Sequence, residues 1–331
     1  MTTSAPSVPN APQVPGATGS LKPPVNLAEV PRKKHVKIKL DRGEMTLRVI
    51  SYVVVTIFTI FCALPFILIL SASVSDEAMI MKDGFGLFPR GFSLEAYAFI
   101  FRYPRAIIGS YAVTVIMTVA GTAIGLFIIA MTGFAIQRRD FSFRNHISFF
   151  IYFTTLFSAG LAPTYLWITQ VLGLKGSYLA VFLQLLMTPW LIILMKNFAR
   201  SVPWEIVESG KMDGAGDFRI FWQLAFPMLK PALATVGLFL ALGYWNEWYL
   251  SSLYLGSAVE FKPLQYYLYN VINTANALKN SVAGANVTVT ALPTNTLKMA
   301  SAVVATGPIV LLYPFVQKYF VSGLTVGAVK G

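Results

Sequence analysis

The sequence is short of charged residues. Only 12% of its 331 residues are charged, whereas 56% are hydrophobic and the mean hydropathy is +0.63. A typical soluble domain has about 25% charged residues. This shortage excludes an ordinary soluble domain and places the chain in a membrane. The formal net charge of +12 is compatible with nucleic-acid binding, but basic residues are also typical of the cytoplasmic loops of membrane proteins.

The residues that build catalytic and metal sites are also scarce. Cys62 is the only cysteine, so no intrachain disulfide can form. The two histidines, His35 and His146, stand apart from any group of carboxylates or cysteines, and we expect no metal site. The sequence has no Walker A motif, so any ATP hydrolysis must come from another chain. We therefore predict no catalytic residue and no cofactor in this chain.

The N-terminal region differs from the rest in composition. Its first 31 residues contain seven prolines and almost no large apolar side chain. They lack the apolar core of a signal peptide, so we expect an uncleaved, disordered tail. The basic stretch from Arg32 to Arg48 is typical of a segment that lies on anionic lipid, and no recognition fold surrounds it that would favour nucleic acid. We expect a tail with its flank, residues 1–45, and a membrane domain, residues 46–331.

Six apolar windows are long enough for membrane helices, which need roughly 20 apolar residues each. They cover about Val49–Ser71, Ala106–Ile136, Ile147–Thr169, Ser177–Met195, Ala232–Tyr254 and Leu297–Val321. The sequence therefore predicts an all-α membrane protein with six transmembrane helices. An even number of spans leaves both termini on one side, and 18 of the 26 Lys and Arg residues fall on that side. By the positive-inside rule, both termini are expected in the cytoplasm.

The segment between the fourth and fifth windows, about residues 201–230, is unusually polar and is called the elbow here. Ser201 is predicted to cap a first helix that ends near Met212. Gly214 and Gly216 can adopt backbone angles closed to other residues, so the chain is expected to bend there. Asp217 is predicted to cap a second helix beyond the bend.

The second helix of the elbow is amphipathic. Phe218, Phe221, Trp222 and Ala225 share one face at helical spacing, and Pro227 is expected to end the helix. One interpretation is a connector that rests on lipid. However, a connector needs only a few residues, and the elbow has about thirty. A docking element for a cytoplasmic partner explains this length better.

The elbow resembles the signature loop of permease subunits of bacterial ABC importers, written EAA…G…I-LP. The corresponding positions read Glu208-Ser209-Gly210, then Gly214, then Leu224-Ala225-Phe226-Pro227. Ser209 and Gly210 replace two alanines of the family pattern, and Phe226 replaces its leucine. Gly210 is expected to loosen the first helix by up to about 1 kcal/mol relative to Ala.

Further motifs extend this resemblance to about residues 45–331. The segments Phe157–Leu166, Tyr244–Tyr249, Lys262–Tyr269 and the C-terminal end are similar to the LplC/YtcP branch of carbohydrate importers, itself similar to the maltose permease MalG. The resemblance implies the MetI/MalG-like fold of a type I ABC importer in the bacterial cell membrane. It also implies these partners: a second, LplB-like permease, an ABC ATPase dimer that binds ATP and Mg, an extracellular solute-binding lipoprotein, and a sugar.

The resemblance also implies which residues contact the ATPase. In the elbow they are Glu205, Glu208, Ser209, Gly210, Met212, Asp213, Gly214, Ala215, Leu224 and Pro227. At the C terminus they are Gly327, Ala328, Val329, Lys330 and Gly331, which would reach the ATPase dimer interface. The alternative for this tail is a frayed terminus with a positive-inside lysine.

Glu247 is the only acid within the six windows, and an ionisable residue inside a membrane is a functional candidate. Its neighbours are Tyr244, Trp245, Asn246 and Trp248. Aromatic rings beside amide and carboxylate groups suit a sugar, so these five residues are candidates for lining the substrate pathway. The alternative is an interfacial aromatic belt. For the whole chain, the alternative is a self-sufficient secondary transporter or channel, which is expected to carry more midplane charges.

Overall fold

The computed structural model describes residues 42–284 and 293–328, with the side chains of residues 43–281 and 293–311. The described residues form helices joined by short segments, and the one piece of β-structure among them is a bridge between Ser75 and Phe92. The helices, in chain order, are α1 (Arg42–Ser73), α2 (Glu77–Asp83), α3 (Glu95–Ile100), α4 (Pro104–Gln137), α5 (Arg144–Leu156), α6 (Leu161–Leu166), α7 (Tyr178–Leu186), α8 (Pro189–Ala199), α9 (Trp204–Met212), α10 (Asp217–Arg219), α11 (Phe226–Met228), α12 (Lys230–Trp245), α13 (Tyr249–Tyr254), α14 (Leu264–Gly284) and α15 (Thr294–Ala328). Two π-helical stretches continue α6 and α10, over Trp167–Val171 and Ile220–Ala225. The prediction of an all-α chain is confirmed.

Three described helical segments are long and apolar enough to cross a membrane, and two bent helix pairs raise the number to five if each pair is one span. The three are Gly43–Ser73, Pro104–Gln137 and Tyr178–Ala199; the bent pairs are Arg144–Leu156 with Leu161–Val171, and Asp217–Met228 with Lys230–Tyr254. These segments cover the first five predicted windows to within one residue. The sixth lies within α15, a continuous helix of 35 residues, about 52 Å long at 1.5 Å per residue.

The N-terminal prediction is only partly covered by the described residues. Helix α1 begins at Arg42, shortly before the expected boundary of the membrane domain at residue 46. The rest of the expected tail, residues 1–41, lies outside the described residues. Helix α1 continues through Pro65 without interruption.

Helix α4 packs against both α8 and α12. It can approach them closely because its contact face carries glycine. A Cβ built on Gly121 would lie 2.3 Å from Cζ of Tyr244, and one on Gly125 would lie 2.7 Å from the carbonyl oxygen of Leu186. Real side chains do not approach so closely, so these two positions admit only glycine without rearrangement. The glycines at this spacing therefore form a packing face.

Hydrogen bonds join the N-terminal half of α4 and the C-terminal end of α12 to α14 and α15. In each, a side chain contacts the backbone of a helix distant in sequence: the Leu264 amide donates to Thr114 Oγ1 (2.7 Å), Tyr111 Oη donates to the Val304 carbonyl (2.8 Å), and Trp245 Nε1 donates to the Ala305 carbonyl (3.0 Å). Such bonds satisfy polar groups that would otherwise be costly to bury. They fix α4, α12, α14 and α15 relative to one another.

The first turn of α15 is capped by a residue more than 200 positions away. Glu77 is only 4% exposed. Its carboxylate accepts from the backbone amide of Asn295 (2.9 Å) and from the amide and hydroxyl of Thr296 (2.8 and 2.9 Å). The free amides at a helix N terminus favour a negative charge. Glu77 therefore ties α2 to α15.

Candidate functional site

The elbow consists of two helical arms joined by a tight turn. The first arm is α9, and the second runs from Asp217 to Met228 through a π-helical stretch. At the end of α9 the amide of Gly214 donates to the Lys211 carbonyl (2.9 Å) and the amide of Ala215 donates to the Gly210 carbonyl (2.9 Å). This is the pair of bonds of a Schellman motif, which requires a left-handed residue at the first position after the cap.

Only one of the two glycines predicted to form the bend adopts a backbone conformation that favours glycine. Gly214 has φ +74°, in the left-handed region that favours glycine. Gly216 has φ −67°, which any residue can adopt. The bend is therefore confirmed, but it depends on Gly214 alone.

Both predicted helix caps of the elbow are wrong. The hydroxyl of Ser201 donates to the carbonyl of Phe198 (2.8 Å), and Pro203 occupies the cap position of α9 without a side-chain bond. Gly216 precedes the second arm, and Asp217 is its first helical residue. The acids Glu205 and Asp217 still stand in the first turns, where the helix dipole favours them.

The elbow has a buried face and an exposed face. Val207 and Gly210 on the first arm are buried. A Cβ at Gly210 would lie 3.0 Å from Leu224 Cδ1 and 3.2 Å from Ile220 Cγ1 on the second arm. The glycine therefore lets the two arms pack closely, a role beyond the helix loosening expected from sequence.

The opposite face presents acidic and apolar side chains. Glu205, Glu208 and Ser209 are exposed, and Met212 is 89% exposed. Glu208 has no hydrogen bond or ion pair with the described residues. A fully exposed methionine beside unpaired acids is available to a partner surface.

The second arm does not keep four residues on one face as predicted. Phe221 and Ala225 are buried, whereas Phe218 and Trp222 are 62% and 49% exposed. The π-helical stretch from Ile220 to Ala225 changes the angular spacing of side chains, so helical periodicity fails there. Phe221 packs against Phe134 of α4, with ring centroids 5.7 Å apart.

An ion cluster fixes both arms to the segment after α4. Arg138 pairs with Asp140 and, at 2.7 Å, with Asp217 of the second arm. Lys211 of the first arm pairs with the same Asp140 carboxylate. The hydrogen bond from Arg138 is the main cause that lowers the pKa of Asp140 far below its usual range, against the opposing effect of burial. Sequence reasoning missed this cluster, because its members are separated by up to 79 positions (Arg138 to Asp217).

A polar cavity lies beside the first arm. Its volume is about 260 Å³, and the polar residues in its lining are Gln137, Arg138, Arg139, Arg200 and Glu205. Arg139 and Arg200 form no ion pair with the described residues. The cavity is therefore positively charged, which suits an acidic side chain of a partner.

The predicted pathway residues divide into two groups. Tyr244 and Trp245 are buried, and their polar atoms bind backbone carbonyls, Phe182 for the tyrosine and Ala305 for the tryptophan. These two side chains hold helices together. Asn246, Glu247 and Trp248 lie in a break between α12 and α13.

Glu247 is satisfied within that break. Its carboxylate accepts from the amide of Leu250 and, at 3.1 Å, from the amide of Ser251, whose hydroxyl also donates to it. It caps the first turn of α13, and these hydrogen bonds offset the cost of burying the carboxylate. Glu247 is therefore half-buried, and its carboxylate is hydrogen-bonded to residues of α13.

Trp248 opens onto a groove formed with α14 and α15. Its ring packs on Tyr269, with centroids 4.7 Å apart and planes tilted by 32°. Gln265, Lys298 and Ser301 also line this groove, whose volume is about 260 Å³. Sequence reasoning did not select Gln265, Tyr269 or Lys298, because they lie on helices that follow the aromatic motif by up to fifty residues.

No cluster of three or more His, Cys, Asp and Glu side chains that could hold a metal ion occurs in the described parts of the chain. Of the predicted C-terminal contact residues, Gly327 and Ala328 end α15, and 329–331 lie outside the described residues.

Comparison with known proteins identifies the family. Residues 134–326 match the binding-protein-dependent transport system inner membrane component family. The chain is 37% identical over 274 residues to the polygalacturonan/rhamnogalacturonan transport system permease protein YtcP of Bacillus subtilis, covering 83% of this chain and 94% of that protein. It is 36% identical over 275 residues to protein LplC of the same organism, covering 81% and 89%.

A solved structure shows the same architecture. The chain resembles a chain of a bacterial ABC transporter involved in the import of the acidic polysaccharide alginate, with a TM-score of 0.69 and 29% identity. The match covers 85% of this chain and 99% of that one. These findings contradict the alternative prediction that the chain is a self-sufficient secondary transporter or channel. The chain belongs to the carbohydrate ABC transporter permeases, within the family of inner membrane components of binding-protein-dependent transport systems.

Proposed function

We propose that this sugar ABC transporter permease forms half of a translocation pathway and transmits ATP-driven motion through its elbow. A second permease would complete the pathway, an ABC ATPase dimer would bind ATP and Mg, and an extracellular lipoprotein would deliver the solute. Both termini and the elbow would face the cytoplasm, since most Lys and Arg residues lie on that side.

The rigid construction of the elbow is the observation that supports this proposal most strongly. A Schellman turn joins its arms, and the cluster of Arg138, Asp140, Lys211 and Asp217 ties both arms to the segment after α4. A connector lying on lipid does not need this bracing. A docking element does, because slack between the ATPase and the membrane helices would absorb the motion.

The exposed face of the elbow has the chemistry of an interface. Glu208 and Met212 point away from the buried side, and the cationic cavity beside α9 contains the unpaired Arg139 and Arg200. In the proposed complex, Glu208 binds a basic residue of the ATPase and Met212 fills an apolar depression. Closure of the ATPase dimer then draws two such elbows together, and the helices switch as rigid bodies between inward and outward access.

The remaining predicted contacts fit the same arrangement. The C-terminal end, from Gly327 onward, would approach the ATPase dimer interface. Where the name of a relative states a solute, that solute is a saccharide, as for the polygalacturonan/rhamnogalacturonan permease YtcP. We therefore assign the solute to oligosaccharides derived from polysaccharides.

Purification of the tagged chain in mild detergent tests the assembly. Mass spectrometry is expected to identify a second permease, an ATPase and a lipoprotein in the same preparation. The chain alone, or only with copies of itself, would contradict the proposed complex.

A charge reversal tests the docking role. Glu208→Lys should abolish ATP-driven uptake while insertion of the complex is retained. Glu95→Lys is the matched control, because Glu95 is also exposed but lies outside the elbow, on α3. Normal uptake by the Glu208 variant would rule out this contact.

A further inference from the structure

The groove beside Trp248 has the features of a solute site. Trp248 and Tyr269 are each 40% exposed and pack together, so they present a continuous aromatic surface. The apolar face of a sugar ring packs on such a surface. The volume of about 260 Å³ lies just below the roughly 300–1,000 Å³ of pockets for drug-sized ligands, so the groove is suited to one sugar unit.

Polar groups stand around the aromatic surface. The side-chain nitrogen of Gln265 donates a long hydrogen bond of 3.5 Å to Oδ1 of Asn246, and its second N–H can still donate to a sugar hydroxyl. The hydroxyl of Ser301 is buried and has no hydrogen-bond partner among the described residues, although Ser301 lines the groove. Its oxygen has less than 1 Å² of accessible surface, so the side chain would have to rotate before the hydroxyl could bind a ligand.

The positive charge of the groove favours sugars that carry a negative group. Lys298 is the only charged residue among the nine that line it. Lys298 forms no hydrogen bond or ion pair with the described residues, and it stands in the second turn of α15. Lys298 is exposed, so water solvates its ammonium group when a neutral sugar is bound, whereas a carboxylate would pair with it through a charge-assisted hydrogen bond.

We infer that this groove binds a carboxylated sugar unit, such as a uronate, with Lys298 on the carboxylate and the Trp248–Tyr269 pair on the ring face. This inference rests on the proposed function in oligosaccharide import. It changes the assignment of the pathway residues, because Tyr244 and Trp245 are structural, and Gln265, Tyr269 and Lys298 line the groove with Trp248.

The test compares two forms of one solute in proteoliposomes that hold the complete importer with its binding protein. The probes are a trimer of galacturonate and the same trimer with its carboxylates methyl-esterified. Lys298→Gln is expected to lower uptake of the charged trimer at least about tenfold at subsaturating concentration, and to leave uptake of the ester unchanged. Lys298→Arg should retain uptake of the charged trimer, because arginine keeps the positive charge. Lys175→Gln is the control, because Lys175 is also an exposed lysine.

The aromatic pair gives a second readout. Trp248→Ala should lower uptake of both trimers, because ring stacking does not depend on the carboxylate. An equal loss of both trimers in Lys298→Gln would overturn the inference and assign Lys298 to a lipid headgroup or to folding. Unchanged uptake of both would also overturn it.

The wild-type importer separates this inference from the proposed function. If it takes up neutral oligosaccharides with ATP but never the charged trimer, the carboxylate site is refuted and the import function stands. If no oligosaccharide is taken up in response to ATP, the proposed function itself fails.

Discussion

The ring of Tyr244 occupies the space that a side chain at position 121 would fill. A Cβ on Gly121 would lie 2.3 Å from Cζ of the ring, and the tyrosine hydroxyl donates to the Phe182 carbonyl at 2.8 Å. The hydrogen bond prevents the ring from moving aside. The close approach of α4 and α12 therefore depends on the absence of one methyl group.

Gly121→Ala is accordingly expected to destabilise the protein by about 1–3 kcal/mol, the usual cost of overpacking. The measurement is thermal unfolding of the purified complex in detergent. Gly243→Ala on α12 is the control, since nothing lies within 4 Å of its added methyl group. Equal unfolding temperatures for the two variants would contradict the packing argument.

The two glycines of the elbow form a second matched pair. Gly214→Ala places a side chain at φ +74°, which costs about 1–2 kcal/mol, and we expect it to weaken solute-stimulated ATPase activity of the complete importer. Gly216→Ala should behave like the wild type, because φ is −67° there and the space is open. If both variants lose coupling equally, the strain at Gly214 is not the cause.

Asp140 holds the two arms of the elbow through Arg138 and Lys211. Asp140→Asn should loosen both arms, and faster hydrogen exchange over residues 204–228 would report this. Asp213→Asn is the control, because Asp213 is exposed and forms no ion pair with the described residues. Unchanged exchange in the Asp140 variant would show that packing alone fixes the elbow.

The lowered pKa of Asp140 gives this stabilisation a definite pH dependence. Because the folded pKa lies below the unfolded value of about 3.9, the contribution is fully present above that value. It is lost as the pH falls through the folded pKa. Exchange in the elbow, corrected for intrinsic rates, should therefore be constant from pH 8 to about pH 5, and Asp140→Asn should show no acid-dependent loosening below about pH 4. The same acid transition in both proteins would assign it to another group.

The buried carboxylate of Glu77 is expected to be essential for the start of α15. Glu77→Ala leaves the amides of Asn295 and Thr296 without an acceptor, and we expect a loss of about 1–3 kcal/mol or more. Thermal unfolding against the exposed control Glu95→Ala measures it. A loss no larger than that of the control would mean that water replaces the carboxylate.

Much of this architecture follows from the sequence, because long apolar runs and the Gly214 bend have local causes. The cap at Ser201 was wrong for a local reason, because its hydroxyl donates to the carbonyl of Phe198. The cap at Asp217 was wrong for a tertiary reason, because Asp217 pairs with Arg138, which lies 79 positions earlier. The groove was missed similarly, since Trp248, Tyr269 and Lys298 meet only after three helices have packed. Single-sequence patterns report local periodicity, and these contacts are not local.

Helix α4 also has a mechanical consequence. Its 34 residues form an uninterrupted rod about 51 Å long. Near one end, Phe134 and the adjoining Arg138 hold the elbow; toward the other, Thr114 holds the first amide of α14, the helix that carries Tyr269. A tilt of this rod about the glycine contact with α12 would therefore shift both attachments at once and in opposite senses.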